Sequence, residues 1–93
     1  MSLDGSIKPK WFVYIIKTKD NTLYTGITLD LARRLHQHTQ GLGAKYLRGK
    51  HPLQLVFSIA MPDRSSASKL EYKIKHLSKA QKLQIIEQNL ILE

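Results

Sequence analysis

The 93-residue chain has no cysteine, one tryptophan, two phenylalanines and three prolines. Without cysteine there is no disulfide framework, no thiolate zinc site and no catalytic thiol. No apolar run approaches the roughly 20 residues a bilayer crossing needs, and no basic-then-apolar leader precedes a small-residue cleavage site. A cytoplasmic protein with no membrane partner is expected. Acids are also scarce: seven Asp and Glu stand against fifteen Lys and Arg, a formal charge of +8. The 42% hydrophobic content is ordinary for a folded chain. A chain this short buries only about 60–65% of its unfolded surface, which supports a single core. The expected organisation is a flexible leader at 1–10 and one domain at 11–93, read as a monomer.

The shortage of acids is concentrated. Leu31 through Pro62 contains no Asp or Glu, while Arg33, Arg34, Lys45, Arg48 and Lys50 fall there. Arg64 through Ile86 carries six more basic residues and one acid, Glu71. A one-signed stretch of this length repels itself unless a polyanion answers it, and nucleic acid, DNA or RNA, is the commonest polyanion.

Trp11 to Lys17 (WFVYIIK) is apolar, β-branched and aromatic and reads as a buried strand. Lys19-Asp20-Asn21 is turn chemistry, and Thr22 to Ile27 returns as a second strand of a hairpin. Asp30 is placed to cap a helix from Leu31 to Gly41, with Leu31, Ala32 and Leu35 as its apolar stripe and Arg34 and His38 together on another face. Gly41 to Pro52 reads as a glycine-rich basic loop. Leu53 to Ala60 alternates, so Leu53, Leu55, Phe57 and Ile59 are expected on one side of a third strand. Asp63 caps a further helix carrying Ala67, Leu70, Ile74 and Leu77, and Ser78 with Gln81 forms a capping box for a last one carrying Leu83, Ile86 and Leu90. The order β–β–α–β–α–α specifies an α+β fold, a small three-stranded antiparallel sheet packed with helices.

Common catalytic motifs are missing. There is no phosphate-binding glycine loop, no nucleophile elbow, and no histidine pair at metal spacing with a third ligand. His36 and His38, two apart, face away from each other on a helix. What remains is Tyr14 in one strand, Tyr24-Thr25-Gly26 in its partner, Arg34 and His38 on the next helix, and Glu71 alone on a basic helix.

Four stretches, WFVYIIKTKDNTLYTGIT, DLARRLHQH, GAKYLRGKHPLQLVFS and DRSSASKLEYKIKHLSKAQK, resemble in order and spacing the GIY-YIG nuclease superfamily. Within it they are most similar to the small single-domain bacterial YhbQ-like branch, itself similar to the Slx-type structure-specific nucleases. The resemblance runs from Trp11 to about Lys82. Tyr14 matches the tyrosine of the first half-motif, with Phe12-Val13 in place of Gly-Ile. Tyr24 and Gly26 match the ends of the second, with Thr25 in place of Ile. Arg34, eight residues after that glycine, matches the family arginine, His38 its polar partner, and Glu71 the acidic metal ligand. The asparagine that some homing-endonuclease members carry near the C-terminus has no convincing counterpart.

The resemblance implies a divalent-metal-dependent endonuclease acting on DNA, with branched or single-stranded-junction substrates and a place in repair or recombination. Glu71 is expected to hold one Mg²⁺ or Mn²⁺ and Arg34 to bind the non-bridging oxygens. Tyr14, Tyr24 and His38 compete for the role of general base. Lys45, Arg48, Lys50 and Lys75 are expected to touch phosphates, Tyr46 to stack on a base, and Trp11 to pack as core or lid. Each residue also has an ordinary reading: the tyrosines as cross-strand packing, Arg34 and His38 as a solvated face, Glu71 as an i,i+4 partner of Lys75. The alternative function is a non-catalytic nucleic-acid-binding or accessory module with a vestigial site. A third reading is a protein-interaction domain with an acidic partner.

Overall fold

The strand signals resolve into a sheet in the computed structural model, which describes residues 10–42 and 45–88. Residues 1–9, Leu90 and the side chain of Tyr46 lie outside the described residues. β1 (Trp11–Lys17) is the central strand, antiparallel to β2 (Leu23–Thr28) on one side and β3 (Gln54–Met61) on the other. The helices are α1 (Leu31–Thr39), α2 (Arg64–Lys75) and α3 (Lys79–Gln88), with one 3₁₀ turn at Lys45–Leu47. The hairpin turn closes through Thr18, whose amide donates to the Thr22 carbonyl at 2.9 Å, and Asn21 takes φ 65°, a left-handed conformation asparagine tolerates.

Strand alternation divides the interior into two layers. Val13 and Ile15 face one side of the sheet with Phe57, Ala67, Leu70, Ile74 and Ile85; Tyr14 and Ile16 face the other with Leu47, Leu31 and Leu35. The sheet is therefore sandwiched, with α2 and α3 on one face and α1 and the 3₁₀ turn on the other. This is why four consecutive β1 residues, Val13 to Ile16, are all buried. The caps form as expected. Asp30 accepts from the Arg33 amide at 3.0 Å and Asp63 from the Ser66 amide at 2.7 Å, while Ser78 and Gln81 bond reciprocally at 3.0 and 3.2 Å.

Three sequence expectations are corrected. The third strand does not keep one face. Ile15 pairs with Phe57 but Ile16 pairs with Leu55, so Val56 is an extra, bulged residue. The bulge resets the alternation: Leu53 packs with Tyr14 and Ile16, whereas Phe57 and Ile59 pack with α2. On α1, His38 does not share a solvated face with Arg34. It lies a full two turns from Leu31, on the same side, and is 2% exposed, while Ala32 is exposed. On α3, Ile85 enters the core and Leu83 is 43% exposed.

Candidate active site

Tyr14 and Gly26 are direct partners across β1 and β2. A β-carbon built on Gly26 would lie 2.6 Å from the Tyr14 hydroxyl oxygen and 2.8 Å from Cζ, closer than any real contact. The glycine lets the Tyr14 ring lie over the edge strand, and the ring carries its hydroxyl from the centre of the sheet toward that edge. There the hydroxyl is hydrogen bonded to His38 Nε2 at 2.9 Å. The Tyr24 ring completes the cluster, 6.4 Å from Tyr14 and 5.7 Å edge-on from His38. Two adjacent strands and the first helix thus converge on one point.

The electrostatics of that point are specific. Burial pushes the Tyr14 hydroxyl well above the ordinary tyrosine range; Tyr24 adds to this, Arg34 opposes it, and Glu71 adds again. Burial, with Arg34 beside it, holds His38 below the ordinary histidine value. At neutral pH the pair is therefore an intact phenol and an uncharged imidazole. Arg34 from α1 and, least of the four influences, Glu71 from α2 both bear electrostatically on the same hydroxyl.

Arg34 also lines a cleft of about 340 Å³ with Trp11, Thr28, Asp30, Arg33 and Gln37. Arg34 thus both acts electrostatically on the Tyr14–His38 pair and lines an open cavity. Glu71 is partly exposed and accepts an ion pair from Lys75 at 3.1 Å, one turn on. Among the described residues no three His, Asp or Glu side chains gather into a metal cage. The donor set available is one carboxylate, which fits a hard divalent cation that keeps its waters and takes phosphate oxygens.

The sequence matches the model of the GIY-YIG catalytic domain over residues 10–84, a span containing every residue just described. The chain belongs to the GIY-YIG family. Among its relatives, the UPF0213 protein YhbQ of Escherichia coli is 55% identical over 76 residues, covering 82% of this chain and 76% of its own length. A UPF0213 protein of Photorhabdus laumondii is 57% identical over 77 residues, covering 83% and 74%. The solution structure of a UPF0213 protein from Bacillus halodurans superposes with a TM-score of 0.57 at 43% identity, covering 85% of this chain and 84% of that one. GIY-YIG is a nuclease family, and its members generally use a divalent metal.

In this GIY-YIG domain the four nominated phosphate contacts differ in their surroundings. Lys45 is exposed on the 3₁₀ turn. The exposed Arg48 donates through Nε to the Gly41 carbonyl at 3.1 Å, bracing the loop that carries it. Lys50 pairs with Asp20 at 3.5 Å, and its carbonyl accepts from the Lys19 amide at 3.0 Å. The Thr18 hydroxyl and Lys50 both bear on the Asp20 carboxyl, which sits well below the usual carboxylate range. The hairpin turn thereby holds the basic loop. Sequence reasoning placed Asp20 in the hairpin turn but missed its ion pair with Lys50, which joins two segments thirty residues apart. It also missed Arg33 and Thr28 as walls of the cleft, since nothing in their spacing marks a cavity. Trp11 is half-buried, packs on the α2 layer, and has the Arg64 guanidinium 5.5 Å from its ring.

Proposed function

We propose that this GIY-YIG domain is a divalent-metal-dependent endonuclease that hydrolyses DNA phosphodiester bonds at branched or single-stranded-junction structures, in repair or recombination. The observation that carries the reading is the Tyr14–His38 hydrogen bond beside Arg34. A tyrosine held this far from ionisation is a poor free base, and an uncharged histidine bonded to it supplies what it lacks. As water attacks phosphorus, the P–O bond to the departing strand end breaks and its oxygen takes a proton from solvent, while the Tyr14 oxygen takes the attacking water's proton and passes its own to His38 Nε2. No tyrosinate accumulates. Tyr24, edge-on to His38, orients the pair.

Arg34 spans the non-bridging oxygens with its planar fork, and that contact strengthens as charge builds in the transition state. Glu71 would hold Mg²⁺ or Mn²⁺ after giving up Lys75, which is then free to meet a phosphate. The ion, when bound, supplies positive charge to the phosphate oxygens and eases deprotonation of the attacking water. Lys45, Arg48 and Lys50 position the backbone without reading sequence. DNA structure, rather than base sequence, is the expected target for a domain this small.

The competing reading, a non-catalytic binding module, draws on the Glu71–Lys75 pair, which occupies the carboxylate. An i,i+4 pair of this kind on a helix surface is worth only about 0.3–0.5 kcal/mol, too little to keep a divalent ion out. Incubation of the protein with plasmid, linear and forked DNA, in Mg²⁺, Mn²⁺ or EDTA, separates the two. Cutting of forked DNA with metal and not with EDTA supports the nuclease. DNA binding with no cutting in either metal supports the module.

A further inference from the structure

The outer face of α2 plays no part in the site above. The helical period places Ala67, Leu70 and Ile74 against the sheet and turns Lys69, Tyr72, Lys73 and His76 to the opposite side. Tyr72 is 65% exposed, a large aromatic left in water. It is not alone there: the His76 ring stacks on it, centroids 4.1 Å apart and planes inclined by 36°. His76 Nδ1–H donates to the Tyr72 carbonyl at 2.8 Å, and this bond fixes the imidazole against the phenol. Ser68, Lys69, Tyr72 and Lys73 line a shallow groove of about 480 Å³. The one acid within α2, Glu71, lies toward the flank and is paired with Lys75, and Asp63 is occupied capping the helix.

We propose that this face of α2 is a docking strip for an unpaired nucleic-acid strand, with the Tyr72–His76 pair as a stacking platform and Lys69 and Lys73 as phosphate contacts. Charge complementarity selects the partner, because cations without acids call for a polyanion. The aromatic pair selects its form: a duplex hides its base faces, while an unpaired strand offers each one to a ring. Lys69 and Lys73 stand one turn apart, about 6 Å along the helix, and both lie to the same side of Tyr72, so they can meet successive phosphates of a strand that runs past the stacked base. The strip lies on the sheet face opposite α1 and the tyrosine cluster. The inference rests on the nuclease reading for its partner.

The test is fluorescence anisotropy of a labelled oligothymidylate and of a blunt duplex in EDTA, where cleavage does not enter, across a salt series. The proteins are wild type, Tyr72→Ala and Lys69→Ala/Lys73→Ala, with folding checked by circular dichroism. Tyr72→Ala should weaken single-strand binding about tenfold and leave duplex binding unchanged. The double lysine variant should lower the slope of log K against log salt for the single strand by about 1.4. Variants that bind the strand like wild type, or a wild type that binds only duplex, overturn the strip. Forked DNA cut in Mg²⁺ by wild type, with no effect of Tyr72→Ala on strand binding, would remove the strip and leave the nuclease standing. The expected binding losses without any cutting would remove the nuclease and leave the strip.

Discussion

The Tyr14 ring occupies the space that a side chain at Gly26 would need, its hydroxyl 2.6 Å from where the β-carbon would sit. Gly26→Ala must displace the ring or the edge strand, and the hydrogen bond to His38 goes with it. Overpacking of this kind costs about 1–3 kcal/mol. Single-turnover cleavage should fall about 100-fold or more, the scale of a lost general base. Chemical denaturation and cleavage kinetics on the same preparation check both numbers.

The pH dependence follows from His38. Its folded pKa is depressed from 6.5, chiefly by burial and then by Arg34. The unfolded chain takes up the proton first, so the contribution to stability is complete above about pH 6.5 and is lost as the pH drops below it. Cleavage should show an acid limb below pH 6.5, where His38 protonates and can no longer receive the Tyr14 proton. A rate that instead climbs steadily from pH 8 toward 10 would mark a free tyrosinate as the base. Cleavage measured between pH 5 and 10 at constant ionic strength decides.

Thr25 Oγ1 is buried without a hydrogen-bond partner. Thr25→Val keeps the shape and removes the unsatisfied hydroxyl, so it should stabilise the domain by about 1 kcal/mol. For a domain of this size that is a rise in Tm of about 4–8 °C, readable by calorimetry.

The bulge in β3 makes a contrast between two residues that a plain alternation would treat alike. Phe57 is buried against α2, and Phe57→Ala should cost about 3–5 kcal/mol. Leu55 is 39% exposed on the other face, and Leu55→Ala should cost much less. Urea unfolding of the two variants provides the comparison. Equal costs would contradict the bulge.

These positions also show what the sequence reveals and where it stops. The element order, the hairpin and all three caps are legible because each depends on neighbours a few residues apart: Asp30 on Arg33, Asp63 on Ser66, Ser78 on Gln81. Tyr14, Tyr24, Gly26, Arg34, His38 and Glu71 are legible as a set only through the family's spacing. The bulge at Val56 is not legible, because the hydrophobic run of β3 satisfies one register as well as two half-registers. The burial of His38 is hidden for a related reason. A histidine is read as solvent-facing unless a buried partner is known, and that partner, Tyr14, is 24 residues away.

The central claim is that Tyr14, Arg34 and Glu71 serve one reaction. Its most direct test is single-turnover cleavage of a labelled forked DNA in Mg²⁺ by wild type, Tyr14→Phe, Arg34→Ala and Glu71→Gln, each confirmed folded. Wild type should cut near the junction. Each variant should lose about 100-fold or more while still binding the fork in EDTA, because each removes a proton carrier or a charge that acts in the transition state. Cleavage by all three variants at the wild-type rate would contradict the account.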